Sequence, residues 1–197
     1  SAEPRPRVAA IVPVYRGASW IARCLGALAA STYPDLEIVV VDDGSDDGSA
    51  EIAREVASRC RRRITVARLA DNRGFAAAVK DLVFYTDGDA QYDPGEVTEL
   101  WKALTDDVDW VNGWKISRSD PLHRIVIGRI YHHTVKTLFG LKVRDVDCDF
   151  RLMRRRIFDT VRLEKNSGVI CLEMMKKFKD AGFRVAEVPV HHYHRTH

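Results

Sequence analysis

Short apolar runs alternate with helical patterns along the first 110 residues, and this alternation restricts the chain to few folds. Runs such as Arg7–Val14, Leu36–Val41 and Leu82–Tyr85 are apolar at nearly every position. Strands buried on both faces have this pattern, and both faces are covered in parallel sheets whose crossovers contain helices. The alternation therefore predicts an α/β fold with a mostly parallel sheet flanked by helices.

Helix boundaries follow from capping residues. Ser19 and Ser49 are predicted to cap the first two helices, and Pro94 is expected in the first turn of a helix that ends near Leu104. The second half is less regular. It is predicted to contain a helix over Pro121–Leu138, a helix from Asn166 or Ser167 to Ala181, and a last strand over Phe183–Val190.

Charge is distributed unevenly along the chain. Residues 1–110 carry 13 Lys and Arg against 19 Asp and Glu, whereas residues 111–197 carry 18 against 9 and all seven histidines. A cationic half suits phosphate, nucleic acid or an anionic membrane surface. The acidic half is where metal ligands are expected.

Composition excludes several classes of protein. Apolar residues make up 46% of the chain and charged residues 30%, which are globular values. The longest apolar run, Val8–Tyr15, is much shorter than the ~18 residues of a membrane span, and no secretory signal is visible. The four cysteines lie far apart, which favours reduced thiols and a cytoplasmic protein.

Acidic clusters follow two of the predicted strands. Asp87-Gly88-Asp89 comes directly after the strand at Leu82, and Gln91 adds a neutral oxygen two residues later. Mg²⁺ and Mn²⁺ prefer such oxygen ligands and usually retain water or phosphate in their shell. Asp42-Asp43-Gly44 could accept hydrogen bonds from a base or ribose, with Gly44 permitting close approach. A polar turn or a helix cap is the alternative at each place.

Four segments together resemble the inverting glycosyltransferases of family 2, which have the GT-A fold. The segments are Ile11–Tyr15, Val41–Ser49, Asn72–Gly74 and Asp87–Pro94, in that order. The resemblance implies a single domain over residues 1–197, with a nucleotide-sugar donor half at 1–110 and an acceptor half at 111–197.

The resemblance also implies roles for individual residues. Pro13, Tyr15 and Asp43 are expected to contact the base and ribose of the donor. Asp87, Asp89 and Gln91 are expected to serve Mg²⁺ or Mn²⁺ and the diphosphate.

The chain departs from the family pattern in the interval between the segments Asn72–Gly74 and Asp87–Pro94. Only 15 positions separate Asn72 from Asp87, so we expect a segment to be missing at Lys80-Asp81. The chain ends at His197 without a terminating element, so we also expect a missing extension there.

Motifs in the second half resemble those of polyprenyl-phosphate glycosyltransferases such as dolichyl-phosphate mannose synthase. They are Asp145–Leu152, Leu172–Met174, Ala186–Val190 and His194-Arg195. The resemblance implies transfer of a sugar from a GDP- or UDP-linked donor to polyprenyl phosphate in cell-envelope biosynthesis. Asp145, Asp147 and Asp149 also alternate like calcium ligands, but Phe150 and Arg156 stand where such a loop needs Gly and Glu.

A phosphate acceptor requires cations rather than a base, because its second pKa lies near ~6 and it is already dianionic at neutral pH. Arginine suits phosphate oxygens best. The basic candidates are Lys115, Arg118, Arg124, Arg129, Arg151 and Arg195. Of these, Arg118 and Arg151 are assigned to catalysis together with Asp89 and Glu173, and Arg195 to donor binding. Glu173 is expected to orient a basic residue or a sugar hydroxyl.

A lipid acceptor predicts a peripheral protein at the inner face of the membrane, where the Pro121–Leu138 helix either lies in the interface or packs on the sheet. One alternative is a family 2 enzyme with a saccharide or other soluble alcohol acceptor, for which Glu173 would be the base. The other is an inactive nucleotide-sugar binding module. A nucleic-acid partner would leave the donor motifs unexplained, and nothing in the sequence specifies an oligomer.

Overall fold

The computed structural model describes residues 6–68, 80–116, 133–164 and 169–193. Its centre is a seven-stranded sheet with the strand order β3-β2-β1-β4-β6-β5-β7. The strands are β1 (Val8–Val14), β2 (Leu36–Asp42), β3 (Ile64–Arg68), β4 (Leu82–Thr86), β5 (Trp110–Lys115), β6 (Phe150–Arg154) and β7 (Val185–Val190). Among these strands only β6 runs antiparallel to its neighbours. The predicted mostly parallel α/β sheet is confirmed.

Six helices cover the two faces of the sheet in the described residues. They are α1 (Ile21–Ala29), α2 (Ser49–Arg59), α3 (Val97–Ala103), α4 (133–139), α5 (Ile157–Thr160) and α6 (Ile170–Asp180), and a 3-10 turn (Pro94–Glu96) precedes α3. Side chains from α1, α2 and α3 pack on one face, against residues such as Ala10 and Val12 of β1. Side chains from α4, α5 and α6 pack on the other face, against Ala9 and Ile11. Alternate residues of one strand thus contribute to two separate cores.

Helix beginnings differ from the capping predictions. The residue before α1 is Trp20, and no side chain caps this helix, so the prediction for Ser19 is wrong. Ser49 is the first residue of α2 rather than its cap, because Gly48 precedes it with a φ of 86°. Asp47 accepts a hydrogen bond from the Ser49 backbone N–H at 3.1 Å and so takes over part of the capping role.

Several other predictions differ from the structure or lie outside the described residues. Pro94 starts a 3-10 turn that leads into α3, and β7 starts at Val185 rather than Phe183. The pattern did not predict β6 as a strand. The predicted Pro121–Leu138 helix is described only from residue 133, and Asn166 and Ser167 lie outside the described residues. None of the described helices has the length and apolar character needed to cross a membrane.

Candidate active site

A cleft of about 200 Å³ lies at the carboxyl ends of β1 and β4, in the middle of the sheet. Loops that leave the carboxyl ends of neighbouring parallel strands form ligand sites in open α/β sheets. The lining residues are Pro13, Val14, Tyr15, Arg16, Gly17, Trp20, Asp87, Gly88 and Asp89. The structure therefore brings together two of the motifs that the sequence analysis connected only by resemblance.

Gly88 explains how closely these two loops approach. A Cβ at this position would lie 3.1 Å from the Pro13 carbonyl oxygen and 3.4 Å from the Val12 side chain. A side chain at this position would require the β4 loop or β1 to shift by a few tenths of an ångström. The glycine between Asp87 and Asp89 thus lets both carboxylates border the cleft.

Asp87 lies in an unfavourable environment for a charged carboxylate. Burial raises its pKa well above the usual range, and the negative charges of Asp149 and Asp89 raise it further. A direct interaction between the Asp149 and Asp87 carboxyl groups contributes to the same increase. Two carboxyl groups in such contact favour a proton or a cation between them.

The pairing of β4 with β6 brings Asp149 to this place. Thr86 pairs with Phe150 in the antiparallel ladder, so the residues just beyond the pair, Asp87 and Asp149, stand opposite each other. The Cys171 thiol donates a hydrogen bond to Asp149 at 2.7 Å, and burial raises the pKa of that thiol to about 12. Sequence reasoning did not assign Asp149 to the site, and only recognition of β6 as a strand after an acidic segment could have done so.

Arg151 is completely buried rather than exposed at the surface. Its Nε donates to Asn112 Oδ1 at 2.9 Å, and a terminal nitrogen donates to the Val146 carbonyl at 3.0 Å. Its other terminal nitrogen lies 3.9 Å from Asp149 and has no hydrogen-bond partner within the described residues. The guanidinium group therefore lies behind the acidic cluster and faces Asp149.

Lys115 also points inward. Its Nζ donates to the Asp147 carbonyl at 2.8 Å, and its backbone N–H lies 3.4 Å from Asp145 Oδ2. Asn112 donates to the Asp145 carbonyl at 2.8 Å. Three residues of β5 and β6 thus tie the segment 145–149 to the sheet.

The predicted base-binding and ribose-binding residues lie on two interlocked loops. The Asp43 backbone N–H donates to the Val14 carbonyl at 2.9 Å, and the Gly17 N–H donates to Ser49 Oγ at 2.9 Å. Gly44 has a φ of 75°, which favours glycine. Asp43 and Gly44 are exposed, and the Tyr15 side chain is 62% exposed beside the cleft. These loops therefore present an open surface next to Pro13.

Gln91 contacts the segment that follows β7. Its Nε2 donates to the Tyr193 carbonyl at 2.9 Å, and its backbone N–H donates to Asp89 Oδ1 at 3.2 Å. The structure places Gln91 beside the acidic pair, with its side-chain amide directed at Tyr193.

Glu173 is engaged in other contacts. Its carboxylate accepts hydrogen bonds from the Glu164 backbone N–H at 2.9 and 3.1 Å and pairs with Lys177 at 2.8 Å. Its side chain is only 8% exposed. Arg118, Arg124, Arg129, Arg195 and the segment Asn72–Gly74 lie outside the described residues.

The profile of one protein family, Glycosyl transferase family 2, matches residues 9–162 of the chain. The chain belongs to glycosyl transferase family 2. This span runs from the second residue of β1 through β6 and includes both sides of the cleft, whereas α6 and β7 lie beyond it.

Two curated relatives have the same name, undecaprenyl-phosphate 4-deoxy-4-formamido-L-arabinose transferase. The protein from Aeromonas hydrophila is 26% identical over 201 residues, and the one from Edwardsiella ictaluri is 29% identical over 201 residues. Each alignment covers 96% of this chain and 61% of the relative. The chain therefore spans less than two thirds of the length of these relatives.

Solved structures confirm the GT-A fold. A mannosyltransferase from Pyrobaculum calidifontis, in complex with GDP-Man and Mn²⁺, superimposes with a TM-score of 0.71 at 22% identity, covering 95% of this chain and 56% of that one. Glucosyl-3-phosphoglycerate synthase from Mycobacterium tuberculosis, in complex with Mn²⁺, UDP and glucosyl-3-phosphoglycerate, gives a TM-score of 0.72 at 16% identity, covering 97% of this chain and 73% of that one.

Proposed function

We propose that this chain transfers a sugar, with inversion, from a GDP- or UDP-linked donor to polyprenyl phosphate in a reaction that depends on Mg²⁺ or Mn²⁺. The observation that carries the proposal is the Asp87–Asp89 pair at the cleft beside Pro13 and Tyr15. The curated relatives support the lipid acceptor, since their names describe transferases that act on undecaprenyl phosphate.

The acidic pair fits a divalent ion that the donor completes. No group of three or more His, Cys, Asp or Glu side chains in the described ranges could hold a metal ion alone. Asp87 and Asp89 supply two oxygen donors, which leaves coordination positions for phosphate oxygens. A bound ion would neutralise charge on the leaving diphosphate. The solved neighbours that contain Mn²⁺ together with a nucleotide are consistent with this arrangement.

The contacts of Glu173 favour a phosphate acceptor over an alcohol. An alcohol needs a carboxylate base within hydrogen-bond reach, whereas a phosphate dianion is itself the nucleophile. The Glu173 carboxylate already pairs with Lys177 and accepts two hydrogen bonds from Glu164. We infer that Glu173 stabilises α6 and that Arg118 and Arg195 hold the acceptor phosphate and the donor.

The burial of Arg151 supports a different role for it from that of these two arginines. Its guanidinium faces Asp149 from inside the protein, so we infer that it supports the acidic cluster and does not touch the acceptor. Polyprenyl phosphate is a membrane lipid, so we further infer that the chain works at the inner face of the membrane.

The test compares acceptors that differ in a single chemical group. Wild-type protein is incubated with a labelled donor, Mn²⁺ and either polyprenyl phosphate or the corresponding polyprenol. The proposal predicts labelled lipid with the phosphate and none with the alcohol. Label on polyprenol, or label in parallel incubations with 3-phosphoglycerate or a saccharide but not with the lipid, would contradict it.

A further inference from the structure

The segment immediately after β7, residues 191–193, lies against the loop that carries the acidic pair. We call these three residues the strap. The Tyr193 backbone N–H donates to the Gln91 carbonyl at 2.8 Å, and Gln91 Nε2 donates back to the Tyr193 carbonyl at 2.9 Å. Tyr92 and His192 form an isolated antiparallel bridge in the same place. The strap therefore hydrogen-bonds directly to the loop that carries Asp89.

The loop requires such support because of its backbone conformation. Ala90, between Asp89 and Gln91, has a φ of 57°. The left-handed conformation costs free energy for any residue with a Cβ, and it persists only where neighbouring contacts hold it. The Gln91 N–H donates to Asp89 Oδ1, so the conformation of Gln91 is linked to the position of that carboxylate. Contacts from the strap to Gln91 thus fix Asp89 indirectly.

Glu96 holds the strap from its other end. The Glu96 carboxylate accepts a hydrogen bond from the His191 backbone N–H at 2.9 Å and contacts His191 Nδ1 at 2.5 Å. Glu96 itself is fixed, since its backbone N–H donates to the Asp93 carbonyl at 3.0 Å. The His191 ring stacks on Tyr193 with 6.1 Å between centroids. One carboxylate thus fixes the first residue of the strap and, through the stacked rings, its last.

We propose that Glu96 is a positioning residue of the donor site, which acts through His191 and the strap to hold Gln91 and Asp89 in place for the metal and the diphosphate. This inference rests on the proposed function. Glu96 does not touch the cleft, and it follows Gln91 by five residues. Its role is to fix a loop whose conformation is otherwise unfavourable.

The chain offers a matched control for this proposal. Glu99 is also an acidic residue near the start of α3, but it is exposed and pairs with Lys102 of the same helix at 2.7 Å. Substitution of either glutamate removes one negative charge at a similar position in the sequence. A difference between the two variants therefore reports the contact with the strap and not the change in charge.

The experiment measures binding of Mn²⁺ with UDP, and separately with GDP, by electron paramagnetic resonance without any acceptor. Loss of a residue that supports a metal ligand typically weakens metal binding by about tenfold or more, which is the expected effect of Glu96→Ala. Glu99→Ala is expected to bind as the wild type does. Glu96→Gln keeps an acceptor oxygen for the His191 N–H and is therefore expected to recover most of the Mn²⁺ affinity. A general contribution of Glu96 to folding would not predict this recovery.

Kinetics with the complete reaction give a second readout. Glu96→Ala is expected to raise KM for the donor more than it lowers kcat, because the loop can still reach the active arrangement once the donor is bound. Equal Mn²⁺–nucleotide binding by Glu96→Ala and wild type would overturn the inference alone. Failure of the wild type to bind Mn²⁺ with either nucleotide would overturn the proposed function and this inference with it.

Discussion

At the scale of single residues, Arg151 illustrates that burial as well as charge decides which groups a side chain can contact. Sequence position alone suggested an arginine that binds the acceptor phosphate. The structure places its guanidinium inside the sheet, with hydrogen bonds to Asn112 and Val146. A buried cation is tolerated only where neighbouring groups compensate for its desolvation. Here the Asp149 carboxylate lies 3.9 Å from a terminal nitrogen of the Arg151 guanidinium.

Removing Arg151 is expected to destabilise the fold. Arg151→Met would leave the Asn112 and Val146 oxygens without a donor and Asp149 without its buried counter-charge. The expected loss is about 3 kcal/mol of unfolding free energy, measured by urea denaturation. Arg156 pairs with Asp109 at 2.8 Å but is 61% exposed, so Arg156→Met should cost no more than about 1 kcal/mol. Equal losses in the two variants would contradict the buried network.

Substitution of Asp89 is expected to slow sugar transfer. Asp89→Ala removes one of the two carboxylates at the cleft, and the rate of transfer is expected to fall at least ~100-fold, or roughly 2.7 kcal/mol of barrier. The measurement is initial rate at saturating donor and Mn²⁺, with the exposed acid Asp106 replaced by alanine as the control. Turnover near that of the wild type in Asp89→Ala would refute the assignment of this residue to the metal.

At the scale of elements, the antiparallel strand β6 decides the electrostatics of the site. Its register with β4 brings Asp149 opposite Asp87, and no motif in the sequence connects these two residues. β6 was missed because its sequence, Phe-Arg-Leu-Met-Arg, interrupts an apolar pattern with two arginines. One of them, Arg151, is buried because hydrogen bonds compensate for its charge. A pattern of apolar residues does not reveal such a buried polar side chain.

The Asp87–Asp149 contact predicts that metal binding depends on pH. The pKa of Asp87 is raised in the folded protein, first by burial and then by Asp149. The folded state therefore holds this proton more tightly than the unfolded chain does. The resulting contribution to stability is complete below the unfolded pKa, near 3.8, and is lost as pH rises through the folded value. Because Mn²⁺ competes with the proton, its affinity should increase as pH rises.

Mn²⁺ titrations across a series of pH values, followed by electron paramagnetic resonance, measure this dependence. Asp149→Asn removes the neighbouring negative charge, so the pKa of Asp87 should fall and the increase in affinity should shift to lower pH. A wild-type Mn²⁺ affinity that does not change with pH would contradict this prediction. If Asp149→Asn leaves the pH dependence of the affinity unchanged, contact with Asp149 does not determine the pKa of Asp87.

The strands that the sequence predicts best are those buried on both faces. β1, β2 and β4 consist almost entirely of apolar residues because helices cover both sides, and their carboxyl ends therefore indicated the site. Helix beginnings were predicted less well. At Ser49 the capping interaction comes from Asp47, which local propensity alone does not distinguish. Contacts such as Glu96 with His191 join residues 95 positions apart and require the fold.

At the scale of the whole molecule, the net charge of each half of the chain is an incomplete guide to which side chains face a ligand. The basic second half indicated a surface for phosphate, yet Lys115 and Arg151 point inward and stabilise the segment 145–149. Conversely, the acidic first half supplies the carboxylates at the cleft, as the composition indicated. A charge balance counts side chains regardless of direction, whereas function depends on which of them reach the ligand.

The most direct test of metal-dependent sugar transfer to a lipid phosphate is transfer from a panel of radiolabelled UDP- and GDP-sugars to short-chain polyprenyl phosphate, with Mg²⁺ or Mn²⁺ and with EDTA. We predict label in the lipid phase from one donor, and we expect EDTA to abolish it. Donor that is bound or hydrolysed without labelling the lipid, or labelling that persists in EDTA, would contradict it.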